Sequence, residues 1–116
     1  MSSLKHLFIL QEKLMKELDV KYEGGVDIYS DHFLAACIGM INEASEVLDE
    51  INVATRPWAT KPVKEATEAV AKEAIDVFFY FLEIMIMLGI DPSLLIDLYE
   101  DKWEINMKRA SAKLKE

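Results

Sequence analysis

The sequence predicts an all-α fold, a single domain over residues 1–116 built as a four-to-five-helix antiparallel bundle. Apolar residues recur at spacings of three and four, as on the buried face of a helix, and no strand-like alternation occurs. Three of the four glycines and all three prolines fall where helices should end. At 116 residues, the chain has the length of one typical domain of about 100–150 residues.

Four helices can be placed individually from these signals. They are predicted over residues 3–19, 31–53, 63–88 and 92–113. Ser30 is a suitable N-cap for the second helix, and Gly89 is a suitable C′ residue after the third. Asp91 and Pro92 predict the N-cap and the first position of the fourth helix.

Composition and charge exclude several classes of function. A formal net charge of −8 argues against a nucleic-acid-binding surface, which needs a basic stripe, but not against a small anion bound through a metal. Cys37 is the single cysteine, so no intrachain disulfide can form. The N-terminus shows no signal-peptide pattern, and the longest apolar stretch, 77–88, is shorter than the roughly 20 apolar residues that span a membrane. We therefore expect a cytoplasmic protein without nucleic-acid or membrane partners.

Helix 1 carries one amide inside its apolar stripe. Gln11 lies between Phe8 and Met15 on the face that should be buried. A buried amide without a partner costs about 1–3 kcal/mol. Gln11 should therefore meet either a neighbouring helix or a ligand, and the sequence leaves both alternatives open.

The apolar stripe of the fourth helix also contains polar groups. Lys102, Asn106 and Arg109 follow at i, i+4 and i+7 along the face that carries Leu95 and Leu98. Two cations on an inward face require anions opposite them. Lys102 and Arg109 would therefore belong either to an ion-paired bundle core or to a site for an anionic ligand.

Helices 2 and 3 carry acidic groups that could face these cations. One face of helix 3, beside the apolar segment 77–88, holds Glu73, Asp76, Tyr80 and Glu83. Helix 2 has acids next to its apolar stripe, which alone are more typical of a solvated face: Glu43, Glu46, Asp49 and Glu50. If one i, i+3 carboxylate pair from each helix meets the other, the four groups would bind a hard divalent cation such as Mg²⁺. The lysine and arginine of helix 4 would then suit phosphate oxygens.

Two acidic motifs separated by 26 residues resemble the ExxE…ExxD arrangement of the all-α nucleoside triphosphate pyrophosphohydrolases: Glu43-x-x-Glu46 and Glu73-x-x-Asp76. That superfamily includes the MazG-type enzymes, the dimeric dUTP pyrophosphatases and phosphoribosyl-ATP pyrophosphohydrolase. A downstream pattern strengthens the resemblance: Tyr99-x-x-Lys102-x-x-x-Asn106-x-x-Arg109. The resemblance covers about residues 11–109 and implies a MazG/dimeric dUTPase type of bundle.

Within that superfamily, the chain looks most like the dimeric dUTPases. Gln11 matches a glutamine that contacts uracil there, Trp58 matches a tryptophan of the inter-helix segment, and Tyr80 falls where an aromatic ring packs on the deoxyribose. The chain departs from these enzymes in having Phe79 where His is frequent, Tyr rather than Phe as the stacking ring, and a shorter length. The resemblance therefore favours dUTP as substrate, with a broad MazG-like dNTP pyrophosphohydrolase as the alternative.

The resemblance also implies a role for each site residue. It makes four carboxylates the ligands of two or more Mg²⁺ ions, which Mn²⁺ could replace: Glu43, Glu46, Glu73 and Asp76. Glu46 is our candidate for the carboxylate that orients or deprotonates the attacking water. Three residues of helix 4 would contact the phosphates and sugar: Lys102, Asn106 and Arg109.

Two other classes of function and the assembly state complete the expectations. A non-catalytic helical interaction module would use the apolar helix 3 as its partner surface. A metal-storage or redox bundle is disfavoured, because neither His6 nor His32 follows a glutamate by three residues. Since helix 3 needs covering on more than one side, we expect a homodimer or homotetramer.

Overall fold

The computed structural model describes residues 3–55 and 62–114 and confirms the all-α prediction. Four helices occur in these ranges, which contain no strand: α1 Leu4–Glu17, α2 Asp31–Thr55, α3 Val63–Met87 and α4 Pro92–Leu114. Each boundary lies within two residues of its predicted position. None of these four helices combines the length and the apolarity needed to cross a bilayer.

The predicted caps begin α2 and α4. The Ser30 hydroxyl accepts a hydrogen bond from the backbone N–H of Phe33 at 3.1 Å. The Asp91 carboxylate accepts one from the N–H of Leu94 at 2.8 Å, and α4 begins at Pro92. Each cap satisfies a backbone donor that the first turn of a helix leaves without an intrahelical partner.

Helices α1 and α3 end in the same left-handed turn. Gly89 follows α3 with φ 76°, as its predicted C′ role requires. At the end of α1, Asp19 takes the equivalent position with φ 57°. The N–H of Val20 then donates to the carbonyl of Met15 at 2.8 Å, which closes the turn. A non-glycine residue in this conformation carries a steric cost that Gly89 avoids.

Helices α2 and α3 form the principal pair of the bundle. A Cβ atom on Gly39 would meet the Tyr80 ring, while Glu43, one turn later on α2, lies beside Asp76 and Glu73 of α3. Residue numbers therefore rise along α2 as they fall along α3, which makes the pair antiparallel. Helix α1 packs on α3. The buried core draws on all three helices: Phe8, Met15, Ala36, Leu82, Ile84, Ile86 and Met87.

Helix α4 differs from the prediction of an inward stripe. It packs against α1 and has no buried residue. Leu95, near its start, is partly buried against the core, but Leu98 is 43 % exposed and Tyr99 70 % exposed. The prediction that this stripe is buried within the chain was wrong. Helical periodicity identifies a face that can be covered but does not identify the surface that covers it.

Candidate metal and ligand site

Three carboxylates from two helices meet where α2 and α3 pack. Glu43, Glu73 and Asp76 each place one carboxylate oxygen within 4.8 Å of the other two, and all three side chains are half-buried. We call these three residues the acidic cluster. The spacing of three residues puts Glu73 and Asp76 on one face of α3, and the antiparallel register brings Glu43 of α2 opposite them.

Glu46 lies at the solvent edge of the acidic cluster. Its side chain is exposed, yet it lies close enough to Glu43 and Glu73 to raise the pKa of both carboxyl groups. The four predicted carboxylates therefore share one neighbourhood. Three of them converge closely enough to hold one ion together, and Glu46 faces the water beside them.

Burial and crowding disfavour the charged forms of two cluster members. Burial raises the pKa of Glu43 above its ordinary value, and the hydrogen bond to Glu46 and the negative charges of Glu46, Asp76 and Glu73 raise it further. The pKa of Glu73 is also raised, first by burial, then by the hydrogen bond and charge of Glu46 and by the charges of Asp76 and Glu50. A divalent cation would reverse these effects by replacing repulsion with attraction.

Three buried side-chain oxygens lack a hydrogen-bond partner in the part of the chain that the structure describes. Two belong to the acidic cluster, Glu43 Oε2 and Glu73 Oε2, and the third is Gln11 Oε1. Gln11 is only 4 % exposed. Buried acceptors are normally satisfied, so these three atoms are available to a cation, a ligand or water.

A cavity of about 380 Å³ joins the acidic cluster to Gln11. We call it the site cavity. Four residues singled out from the sequence line it: Gln11, Glu43, Asp76 and Tyr80. Its other lining residues are Leu14, Leu18, Val20, Phe79 and Glu83. The structure thus brings helix-1, helix-2 and helix-3 residues to one space, as the metal–ligand interpretation requires.

Tyr80 borders the site cavity with a ring held against α2. A Cβ atom added to Gly39 would lie 2.6 Å from Tyr80 Cζ and 3.0 Å from Cδ1. Only glycine leaves room for the ring at this point. Tyr80 is therefore both a packing residue of the α2–α3 pair and a wall of the site cavity.

The structure does not bring every predicted site residue to the acidic cluster. Lys102, Asn106 and Arg109 are exposed on α4 and do not line the site cavity. Trp58 lies outside the described residues, so its predicted role stays a prediction.

Glu83 also lines the site cavity. The sequence placed it on the same face of α3 as Asp76 and Tyr80 but gave no indication of its role. Its side chain is half-buried and also borders a second cavity of about 180 Å³, together with His32 and Tyr80. The pKa of Glu83 is raised above its ordinary value, because the effect of burial exceeds the opposing effect of the nearby His32. Glu83 follows Asp76 by seven residues and Tyr80 by three, and this helical spacing was the signal in the sequence that it shares their face of α3.

The donor set of the acidic cluster suits a hard cation. All three groups are carboxylates, which Mg²⁺ and Mn²⁺ accept, and one oxygen from each leaves coordination positions for water and phosphate. Comparison of the chain with family models, with curated proteins and with solved structures gave no match. Function is therefore inferred from the geometry of this site and the pattern of the sequence.

Proposed function

We propose that this chain is a Mg²⁺-dependent nucleoside triphosphate pyrophosphohydrolase of the MazG/dimeric dUTPase type, which releases a nucleoside monophosphate and pyrophosphate. The observation that carries the proposal is the set of unpartnered buried oxygens in the acidic cluster and on Gln11. A cation would satisfy Glu43 and Glu73, and the nucleoside part of the same substrate would satisfy Gln11. One bound nucleotide–metal complex thus accounts for all three atoms.

The acids divide between holding the cation and handling water. Glu43, Glu73 and Asp76 would hold Mg²⁺, with Glu46 as a further ligand when a second ion binds. Bound Mg²⁺ supplies charge neutralisation for the phosphates and a lowered pKa for water. Glu46, exposed beside the cluster, orients a water and accepts its proton during attack on the α-phosphorus.

The site cavity has the properties of a nucleoside pocket. Its volume of about 380 Å³ lies within the range of about 300–1,000 Å³ usual for small-ligand sites. Tyr80 offers a ring face to the deoxyribose, and Gln11 offers a buried acceptor to an N–H of the base. The resemblance favours dUTP through Gln11, with a broader dNTP specificity as the alternative.

The exposed apolar side of α4 supports the proposal of a homodimer or homotetramer. Leu98, Tyr99 and Ile105 are exposed on the stripe that also carries Lys102 and Arg109. Association that covers this stripe would bring its cations near the phosphates of a bound substrate, with Asn106 beside them. Sedimentation of the chain as a monomer at all concentrations would contradict this part of the proposal. The proposed enzyme is also expected to be cytoplasmic.

The proposal is tested by pyrophosphate release from each dNTP in the presence of Mg²⁺. We expect the parental chain to release pyrophosphate, and both Glu73→Gln and Glu46→Gln to slow release by about 10²–10⁴-fold. Glu68→Gln is the matched control, because Glu68 is exposed on α3 and lies outside the cluster. Failure to hydrolyse any dNTP, or a parental rate in Glu73→Gln, would contradict the proposal.

A binding measurement separates an enzyme from a helical interaction module. Mn²⁺ titration followed by electron paramagnetic resonance should show a bound ion in the parental chain and in Glu68→Gln. Weaker binding is expected in Glu73→Gln, because that substitution removes one charged ligand. If the parental chain neither binds Mn²⁺ nor hydrolyses a dNTP, the interaction module becomes the better interpretation.

A further inference from the structure

Glu83 lines the site cavity apart from the acidic cluster. It follows Asp76 by seven residues on α3, which separates the two along the helix axis by roughly 10 Å at 1.5 Å per residue. Both residues line the same cavity, whose walls also include Leu14, Leu18 and Phe79. The acidic cluster would hold a cation and phosphate, so Glu83 remains free to meet another part of the bound molecule.

Gln11 provides an independent sign that a ligand enters this cavity. The residue is only 4 % exposed, and its buried Oε1 has no partner. Away from Glu43 and Asp76, the lining is apolar except for three residues with hydrogen-bonding groups, Gln11, Tyr80 and Glu83. A few polar groups on an apolar lining are typical of sites that determine ligand specificity.

We propose that Glu83 is a specificity-determining residue that selects bases with an exocyclic amino group, guanine, adenine or cytosine, over uracil and thymine. This inference rests on the proposed function and names its substrate class. It replaces dUTP, which the resemblance favours, because Glu83 adds a second acceptor that uracil cannot match.

The donor pattern of the bases explains the selection. A carboxylate can only accept hydrogen bonds, so it pairs with the amino group of any of the three bases, and with guanine it pairs with N1–H as well. Uracil and thymine present one N–H between two carbonyl oxygens, and a carboxylate beside those oxygens is repelled.

Gln11 completes this recognition. Its unpartnered Oε1 accepts one further N–H from the base, and buried acceptors left unmatched penalise a ligand without that donor. An amino-bearing base supplies two or more N–H donors at its edge, enough for both acceptors. Uracil supplies one, so either Gln11 or Glu83 is left unsatisfied.

The test measures binding of the five deoxynucleoside monophosphates by calorimetry with Mg²⁺ present. We expect at least one of dGMP, dAMP and dCMP to bind the parental chain about 10-fold or more tightly than dUMP and dTMP. Glu83→Gln, which can also donate, should strengthen dUMP relative to the preferred monophosphate and reduce this ratio. Glu83→Leu should reduce it by weakening the amino-bearing ligands, and Glu68→Gln should leave it unchanged.

The outcomes separate this inference from the proposed function. Preferential binding of dUMP, or a ratio that both Glu83 variants leave unchanged, overturns the inference even if pyrophosphate is released. A Glu83-dependent ratio without pyrophosphate release supports the base pocket and overturns the proposed reaction. If no monophosphate binds, the relative kcat/KM values on the five dNTPs decide by the same criteria, and absence of both binding and hydrolysis overturns both proposals.

Discussion

Replacing Gly39 by alanine tests the packing of Tyr80 against α2. Alanine favours a helix interior over glycine by about 1 kcal/mol. At this position, however, the new Cβ would lie 2.6 Å from Tyr80 Cζ, so the ring or the helix must move. Overpacking of this kind costs about 1–3 kcal/mol. We therefore expect Gly39→Ala to lower the free energy of unfolding, by up to about 2 kcal/mol, in urea titrations at fixed protein concentration.

A second substitution reverses the expected sign. In a Tyr80→Ala background the ring is absent, so Gly39→Ala should raise the free energy of unfolding by about the helix-propensity term of 1 kcal/mol. The difference in stability between Ser45→Gly and Ser45→Ala, at an exposed position of α2, measures that term where no ring intervenes. If Gly39→Ala stabilises the chain with Tyr80 present, the ring does not rest on this glycine and the antiparallel register of α2 and α3 must be revised.

Three further predictions concern α1 and the acidic cluster. Asp19→Gly should raise the melting temperature, because glycine removes a left-handed strain of about 1 kcal/mol; an unchanged or lower value would contradict the turn at the end of α1. Gln11→Met should stabilise the ligand-free chain by about 1 kcal/mol in urea titration while weakening nucleotide binding, and destabilisation would show that the amide is satisfied within the protein. The last prediction concerns the chain freed of metal by EDTA. Because the pKa values of Glu43 and Glu73 are raised in the folded state, that state binds more protons than the unfolded state at pH values between the ordinary pKa of 4.5 and the raised pKa values. Stability should thus increase as pH falls through that window, and an increase with rising pH there, in melting curves, would contradict these shifts.

The helices themselves were predictable because their determinants are local. The Ser30 and Asp91 caps and the turn at Gly89 depend on residues within a few positions of one another, and each lies where the sequence predicted it. The end of α1 carried a weaker signal. Asp19 adopts the left-handed conformation that glycine usually takes, so the predicted helix continued two residues too far.

Part of the site was also predictable, because spacing along a helix determines which side chains share a face. Glu73 and Asp76 had to lie together on α3, and Gln11 had to lie in the apolar stripe of α1. Spacing could not show that Glu43 lies opposite the α3 acids while Glu46 remains at the solvent edge. That arrangement depends on the register between α2 and α3, which the contact of Tyr80 with Gly39 reveals.

Taken by itself, the sequence determined the four helices, their caps and the faces on which the acids, the amide and the cations lie. The tertiary structure decided that Glu83 lines the site cavity, that Gln11 Oε1 remains unpartnered, and that the stripe of α4 is exposed rather than buried. The physical reason is that helix formation and facial periodicity arise from neighbours in the chain. Convergence and burial arise from contacts between helices far apart in sequence, where a shift of one turn changes every partner.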